Sequence, residues 1–211
     1  MKEVGVVMEL KASIKGRSAV RHYDEQFAIP QIEIERLLQL SSQSPSGHNL
    51  QSWRVAVVTN QEVREKIKPF AHNQAQIVTA SALLVFYADT HSAERTTEIY
   101  TQDMVEGFIP EALLQGKIEA ADAYHATLSA AHLAENAVID TSLFAMNFML
   151  LAHEQGYDTV PMRGFSQAAI TELIAVPTHY KPTLLMALGK GIKEAHQTSR
   201  LSVNRFTRYI E

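Results

Sequence analysis

Three short apolar runs stand out along a chain that is otherwise built from segments of mixed polarity. Residues 53–59, 82–87 and 182–188 are rich in β-branched, leucine or aromatic side chains, and each is short enough to predict a buried strand. The intervening segments carry helix signals, such as Pro30 before one helix and Asn60 before another. We predict helices over residues 8–15, 31–40, 61–70, 73–81, 93–115 and 167–174, the fifth interrupted near Pro110. Strands separated by helices indicate a layered α+β or α/β domain with a small sheet.

The longest helical segment covers residues 117–155 and is stopped by Gly156. Its second half is apolar on nearly all sides, which predicts a helix buried in a core or in a subunit interface. Residues 137–152 include Asp140 and Asn147 and fall short of the roughly 20 apolar residues that a membrane span needs. The tail, residues 189–211, has few apolar residues, so we expect it to pack on a partner subunit.

Composition narrows the class of protein. A chain of 211 residues suits a single domain, residues 1–211, in which 190–211 is the extended tail. A formal charge of −4 gives no reason to expect nucleic acid as a partner. The absence of cysteine removes disulfides, thiolate zinc sites and cysteine nucleophiles, and it fits a cytoplasmic protein. The apolar run at residues 4–8 is too short for a secretory signal.

Several common active-site patterns are missing or incomplete. No G-x-G-x-x-G, G-x-x-x-x-G-K-[ST] or G-x-S-x-G motif occurs, so nothing indicates a dinucleotide loop, a P-loop or a hydrolase elbow. Asp122-x-x-His125 and His132-x-x-Glu135 pair candidate metal ligands on one predicted helix, but carboxylate-bridged metal sites draw such pairs from different helices. We therefore expect surface polar positions here and no metal.

Residues 15–23 form a basic segment with three cations, a hydroxyl and a closing tyrosine. Arg17 and Arg21 are four residues apart, so on a helical turn both guanidinium groups would point the same way. A guanidinium group matches phosphate oxygens with two parallel hydrogen bonds, so the pair is a candidate phosphate clamp. Taken alone, the segment is better explained as a solvated basic turn.

A second candidate is the polar loop at residues 44–53, directly before the first predicted strand. Ser46, Asn49 and Gln51 offer hydroxyl and amide groups, and amides present donor and acceptor together, as a uracil-like ring edge requires. Gly47 would allow the backbone to approach a flat ring closely. The alternative is a polar turn whose serine and asparagine side chains cap a helix.

Together, these segments resemble the FMN-dependent nitroreductase family. The features that carry the resemblance occur in the family's order and span nearly the whole chain: residues 15–23, residues 44–53, Asn73-x-x-Gln76, Gly156-Tyr157, residues 161–165 and Arg200-Leu201. The resemblance implies an α+β nitroreductase-like fold with a small central sheet flanked by helices. It also implies an intertwined homodimer with two FMN molecules at the interface.

The resemblance further implies which residues hold FMN. From one subunit, the phosphate, ribityl and pyrimidine parts would contact Arg17, Ser18, Ala19 and Arg21, with Arg200 returning to the phosphate. The other subunit would supply Pro45, Ser46, Asn49 and Gln51. Asn73 and Gln76 would face the ribityl and pyrimidine side, and Arg163 and Gly164 would present backbone near the flavin N5.

This chain departs from the family pattern at several of these positions. Ser18, Gln76 and Thr198 stand where the family often has a basic residue, and Ala19 stands where a serine is common. Reduced flavin carries negative charge near N1, which a cation stabilises. Because Gln76 is neutral, Arg21 would have to supply that charge.

The reaction implied by the resemblance is ping-pong hydride transfer, in which NADH or NADPH reduces the flavin and a nitroaromatic or quinone then reoxidises it. Since the flavin does the chemistry, no side chain is assigned as acid or base. Phe108 and Tyr124 are candidates for stacking on the acceptor, the alternative being ordinary core aromatics. Two other functions stay open: a flavin-binding or redox-sensing protein without substantial turnover, and other flavin chemistry such as reductive dehalogenation.

Overall fold

The computed structural model describes residues 9–211, which form an α+β fold and confirm the predicted class. The helices are α1 (Leu10–Gly16), α2 (Gln31–Ser41), α3 (Gln61–Ile67), α4 (Gln76–Thr79), α5 (Thr96–Val105), α6 (Glu111–Ala126), α7 (Ala130–Glu154) and α8 (Gln167–Ile174). The strands are β1 (Trp53–Val58), β2 (Ala82–Asp89), β3 (Asp158–Met162) and β4 (Tyr180–Gly189). The apolar run at residues 4–8 and the predicted helix start at Met8 lie outside the described residues.

The four strands form one antiparallel sheet in the order β1-β2-β4-β3. The three predicted strands are present, with β2 and β4 each two or three residues longer than predicted. Strand β3 was not predicted, because it is only five residues long and contains Pro161. Proline lacks the N–H that a strand needs, but β3 lies at the edge of the sheet, where proline is tolerated.

The sheet is covered by helices on both faces, which is why all of β2 is buried. Leu84 and Phe86 point towards a core that includes residues of α2 and α7. Leu83 and Val85 point to the opposite face, where the core includes residues of α3, α4 and α8. This alternation follows the two-residue period of a strand, and each buried leucine or phenylalanine contributes about 1.5–3 kcal/mol. The result is three layers with β2 and β4 at the centre.

The predicted helical region over residues 117–155 is divided into two helices, because the chain turns between α6 and α7. Ser129 caps α7, and its Oγ accepts a hydrogen bond of 3.2 Å from the His132 N–H. The predicted stop at Gly156 is confirmed, and its φ of 76° suits glycine.

The two histidine–carboxylate pairs therefore lie on different helices, and across residues 9–211 no three His, Asp or Glu side chains are grouped to hold a metal ion. None of the helices in this range has the length and apolar character needed to cross a bilayer.

The tail leaves the sheet at Gly189 and soon loses contact with the rest of the chain. The Gly191 N–H donates to the Asp158 carboxylate at 2.9 Å, and the Ile192 N–H donates to the His22 carbonyl at 3.0 Å. From residue 196 to residue 211 every residue is exposed. Leu201, Phe206 and Ile210 are among them, at 74%, 73% and 90% exposure. Apolar side chains this exposed support the expectation of a partner subunit, which stays a prediction.

A glycine at the end of β4 marks a place where the core has no room. A Cβ atom at residue 189 would lie 2.8 Å from Cδ1 of Tyr23 and 3.1 Å from the backbone nitrogen of Ser81. We therefore expect Gly189→Ala to lower the free energy of unfolding by about 1–3 kcal/mol, measured by chemical denaturation. The control is Gly116→Ala on α6, where nothing lies within 4 Å of the added atom. Gly116→Ala is expected to raise the free energy of unfolding by up to about 1 kcal/mol. Equal losses of stability in both variants would contradict this explanation of Gly189.

Candidate functional site

The part of the basic segment that follows Gly16 is not helical. Helix α1 ends at Gly16, and Arg17 has φ −56° and ψ 124°, so the two arginines do not share a helical turn. Instead, Ala19 forms a bridge to Thr159, and the Val20 N–H donates to the Thr159 carbonyl at 3.2 Å. The helical turn considered for the two arginines does not form, because pairing with β3 extends the backbone. Ala19 and Val20 both pack against the core on the side of α3, α4 and α8, whereas Arg21 is exposed.

Arg17 and Arg21 are not neutralised by the described part of the chain. Neither guanidinium group forms an ion pair with residues 9–211, whereas Arg36 pairs with Glu33 and Arg95 with Glu98. Arg17 is half-buried, which limits its hydration. Two such groups side by side suit a phosphate or another anion. Arg200 is exposed in the tail and donates to Thr198, so the single chain does not bring it to Arg17.

A second set of predicted residues gathers beside the end of β3. The Gln76 amide lies 3.3 Å from the Met162 sulfur, and the Ser166 N–H donates to the Phe70 carbonyl at 2.8 Å. A Cβ atom on Gly164 would lie 3.0 Å from the His72 ring. These contacts bring the segment that carries Asn73 and Gln76 next to the segment that carries Arg163 and Gly164. Because Ala19 also pairs with β3, the basic segment joins the same side of the molecule.

The loop before β1 has an unusual backbone. His48, Asn49 and Gln51 all have positive φ, at 51°, 56° and 48°, without being glycine. The Ser46 hydroxyl accepts a hydrogen bond of 3.0 Å from the Gln51 N–H. Left-handed residues of this kind cost about 1–3 kcal/mol each and persist only where the surroundings fix them. Such strain is concentrated at functional sites, which separates this loop from an ordinary polar turn.

Helix α7 fixes this loop through two polar side chains. Asp140 accepts hydrogen bonds from the Gly47 N–H at 3.2 Å and from the Ser52 hydroxyl at 2.8 Å. The Asn147 amide donates to the Ser44 hydroxyl at 2.7 Å. Burial raises the pKa of Asp140 from its usual value, and the hydrogen bonds from Ser52 and Gly47 oppose that rise.

Asp140 and Asn147 were noted in the sequence only as polar interruptions of an apolar helix. The signal that was available is their seven-residue spacing, which places both on the same helix face. Neither was predicted to support the site.

The two aromatic residues proposed to meet an acceptor are not core residues. Phe108 is 73% exposed and Tyr124 is 46% exposed. Tyr124 stacks on the His48 ring, with centroids 4.9 Å apart and an interplanar angle of 25°. The core alternative is therefore wrong, and acceptor binding stays a prediction.

The loop at residues 44–52 is separate from the other predicted site residues. No hydrogen bond among residues 9–211 joins it to the basic segment or to the residues beside β3. Two clefts, of about 660 and 470 Å³, lie between α8 and β4 and around Arg54, Asp89 and His179. Neither contains a predicted site residue. The predicted site residues among residues 9–211 thus form two groups that share no hydrogen bond, and we call these groups the two half-sites.

A comparison with known protein families identifies the family of this chain. Residues 14–190 match the model of the Nitroreductase family. The chain belongs to the nitroreductase family. The resemblance inferred from the sequence motifs is thereby confirmed.

Relatives of this nitroreductase-family chain match it nearly end to end. It is 33% identical to "Putative NAD(P)H nitroreductase YdgI" of Bacillus subtilis over 193 residues, which cover 90% of this chain and 92% of YdgI. A solved nitroreductase-like protein from Streptococcus mutans is 32% identical, with a TM-score of 0.87 and coverage of 94% and 97%. A solved complex with FMN from Exiguobacterium sibiricum is 27% identical, with a TM-score of 0.93 and coverage of 96% and 98%.

Proposed function

We propose that this chain is an FMN-dependent oxidoreductase that uses NADH or NADPH to reduce an electron-poor acceptor such as a nitroaromatic or a quinone. The observation that carries the proposal is the pair Arg17 and Arg21, without ion-pair partners among residues 9–211, beside β3 in a nitroreductase fold. The FMN complex from Exiguobacterium sibiricum and the name of YdgI support the cofactor and the nicotinamide donor.

The donors of the two half-sites fit the parts of FMN. Arg17, with Arg200 from the tail, would hold the phosphate, and Ser18 and Ala19 would lie along the ribityl chain. The neutral amides of Asn73, Gln76, Asn49 and Gln51 match the alternating acceptors and donors of the pyrimidine edge. Arg163 and Gly164 would present backbone near the reactive part of the ring, and Pro45 and Ser46 would close the other side. Arg21 would supply the positive charge at the pyrimidine edge, because Gln76 is neutral and buried.

The flavin, when bound, supplies hydride transfer from the nicotinamide to the acceptor. The residues of this chain then have three tasks: they anchor the phosphate, orient the ring and admit one partner molecule at a time. Phe108 and Tyr124 would contact the acceptor through their exposed rings. A cytoplasmic location stays a prediction.

We also propose a homodimer in which each site draws on both subunits. Helix α7 keeps Ile139, Leu143 and Met146 exposed at 57%, 44% and 39%, on one face of the helix. Together with the exposed tail, this face is available to a second copy of the chain. A second copy would also bring the loop at residues 44–52 to the basic segment, which one chain does not do.

Mixing two defective variants tests this arrangement. Arg17→Ala removes a guanidinium group from one half-site, and Asn49→Gly removes an amide from the other while suiting the left-handed backbone there. Each variant alone should bind FMN weakly, measured by quenching of flavin fluorescence. After subunit exchange, heterodimers contain one intact site, so a population of tight sites should reappear. Heterodimers that form, as shown by the mass of differently tagged subunits, but bind no more tightly would contradict the proposal.

A specific relative supports a second acceptor class. The chain is 27% identical over 197 residues to the "CLA biosynthesis enone reductase" of Lactiplantibacillus plantarum, covering 92% of this chain and 91% of that enzyme. An α,β-unsaturated ketone is therefore an alternative acceptor for the same site. Comparing reoxidation of the reduced protein by a quinone, a nitroaromatic and an enone distinguishes these classes.

A further inference from the structure

Three rings meet where the loop before β1 touches α6, and we call them the ring cluster: His48, Tyr124 and His125. The His48 ring stacks on Tyr124 and meets His125 edge-on, with both centroid distances at 4.9 Å. Tyr124 and His125 are themselves 5.5 Å apart. The cluster joins the loop proposed to touch the flavin to the helix proposed to touch the acceptor.

The two histidines of the cluster differ in their surroundings. His125 is 8% exposed, and its buried Nδ1 has no hydrogen-bond partner among residues 9–211. Burial and the neighbouring His48 lower the pKa of His125, while Asp122 opposes this shift. His48 is exposed. A positive charge on His125 is therefore strongly disfavoured, since it would be a buried imidazolium whose Nδ1 has no hydrogen-bond partner among residues 9–211.

The other charged and titratable groups around His48 are few. Helix α6 presents Tyr124 and His125, with Asp122 on the same helix. Helix α7 presents Asp140 behind the loop backbone, where its carboxylate accepts from the Gly47 N–H. No carboxylate among residues 9–211 forms an ion pair with His48.

The backbone holds the His48 ring in place. Residue 48 has φ 51° and ψ 26°, and the adjacent Gly47 is tied to Asp140. Stacking on Tyr124 thus holds the ring, and the left-handed backbone beside Gly47 holds the residue that carries the ring. In sequence it stands between Ser46 and Asn49, which the proposed function places against the flavin.

We propose that His48 is a catalytic residue that donates a proton to the acceptor as the acceptor is reduced. This inference rests on the proposed function, which supplies the hydride from reduced flavin. For p-benzoquinone, one hydride from the flavin and one proton from His48 would be taken up. One quinone oxygen would receive the hydride and the other the proton, so that both C=O bonds become C–OH and the ring becomes aromatic. The N–H bond of His48 breaks in this step, and neutral His48 would regain a proton from water. The neutral His125 behind it keeps the positive charge on the exposed ring, where the acceptor approaches.

Histidine NMR on the full chain tests the first requirement without any turnover. With ¹⁵N-labelled histidine side chains, the resonance missing from His48→Asn identifies His48. Asparagine is the chosen replacement because it tolerates the left-handed backbone and does not titrate. As a proton donor His48 must bind a proton within the pH range of the titration, and we expect His125 to bind one only at a lower pH than an ordinary histidine. A His48 ring that stays neutral down to pH 5 overturns the proposal.

Stopped-flow kinetics on the FMN-loaded protein tests the second requirement. Reoxidation of the reduced protein by p-benzoquinone should slow as pH rises through the His48 transition seen by NMR. In His48→Asn this rate at low pH should fall about 100-fold and lose its pH dependence. His132→Asn, on an exposed histidine of α7, is the control and should match the unaltered protein.

The possible results separate cleanly. A pH-independent reoxidation rate in the unaltered protein, or a pH profile retained in His48→Asn, overturns the proposal. If His48→Asn no longer holds FMN, the NMR titration and the pH profile of the unaltered protein still decide. Flavin that neither nucleotide reduces overturns the proposed function, and the proton-donor role with it.

Discussion

Replacing Arg17 with alanine is expected to weaken FMN binding by about 10- to 100-fold while leaving riboflavin binding nearly unchanged, because a hydrogen bond to a charged group is worth about 1.5–3 kcal/mol. Riboflavin has the same ring and ribityl chain but no phosphate. Arg17 is half-buried and has no ion-pair partner in residues 9–211. The FMN phosphate would therefore be the first anion to accept hydrogen bonds from its guanidinium group. Fluorescence titration of both ligands on the same preparation measures the difference.

The control for this variant is Arg36→Ala, which removes the same charge from α2. Arg36 is exposed and paired with Glu33 at 3.1 Å, so its loss should not change the affinity for either flavin. Equal weakening of FMN and riboflavin by Arg17→Ala would show that the residue supports the fold of the segment. That result would remove Arg17 from the phosphate site.

Replacing Asp140 with alanine is expected to lower the free energy of unfolding by about 1–3 kcal/mol, because the Gly47 N–H and the buried Ser52 hydroxyl both lose an acceptor. The loss is smaller than for two fully buried donors, since Gly47 is exposed and the Ser52 hydroxyl keeps Ser92 Oγ at 3.0 Å. The left-handed loop they belong to would lose its anchor, so FMN affinity should fall as well. Chemical denaturation and flavin titration measure the two effects.

Asp140→Asn is the matched control, since its amide keeps an acceptor for Gly47 and can donate to the Ser52 oxygen. It should lose much less stability than Asp140→Ala. The pKa of Asp140 is raised by burial, so the folded state binds this proton more tightly than the unfolded chain. The contribution of Asp140 to stability should therefore fall as pH rises from its unfolded pKa to its folded one, and Asp140→Asn should lack that fall. Equal losses in both variants would argue against the anchoring role.

Local patterns were sufficient for most of the secondary structure. Strand β2 is a continuous apolar run because both its faces are buried, and α8 covers the predicted residues 167–174. The failures occurred where a distant part of the chain decides the local structure. Strand β3 was not predicted because it contains Pro161, but it is stable as a strand because it pairs with β4. Arg17 and Arg21 were placed on a helical turn, but pairing with Thr159 extends them.

For the same reason, the residues that support the site could not be predicted from any one segment of the sequence. Asp140 acquires its role only when α7 packs beneath the loop at residues 44–52. The ring cluster likewise joins His48 to residues of α6 that are distant in sequence. Motifs that touch a cofactor directly have a recognisable local order, whereas the groups that hold those motifs in shape depend on tertiary contacts.

The most direct test of the central claim is the absorbance of the purified protein with FMN under anaerobic conditions. The account predicts flavin bands that survive removal of free FMN, bleach on addition of NADH or NADPH and return when p-benzoquinone is added. A protein that retains no flavin would contradict the proposed cofactor. Flavin that is retained but bleached by neither nucleotide would contradict the enzymatic function and favour a flavin-binding or redox-sensing role.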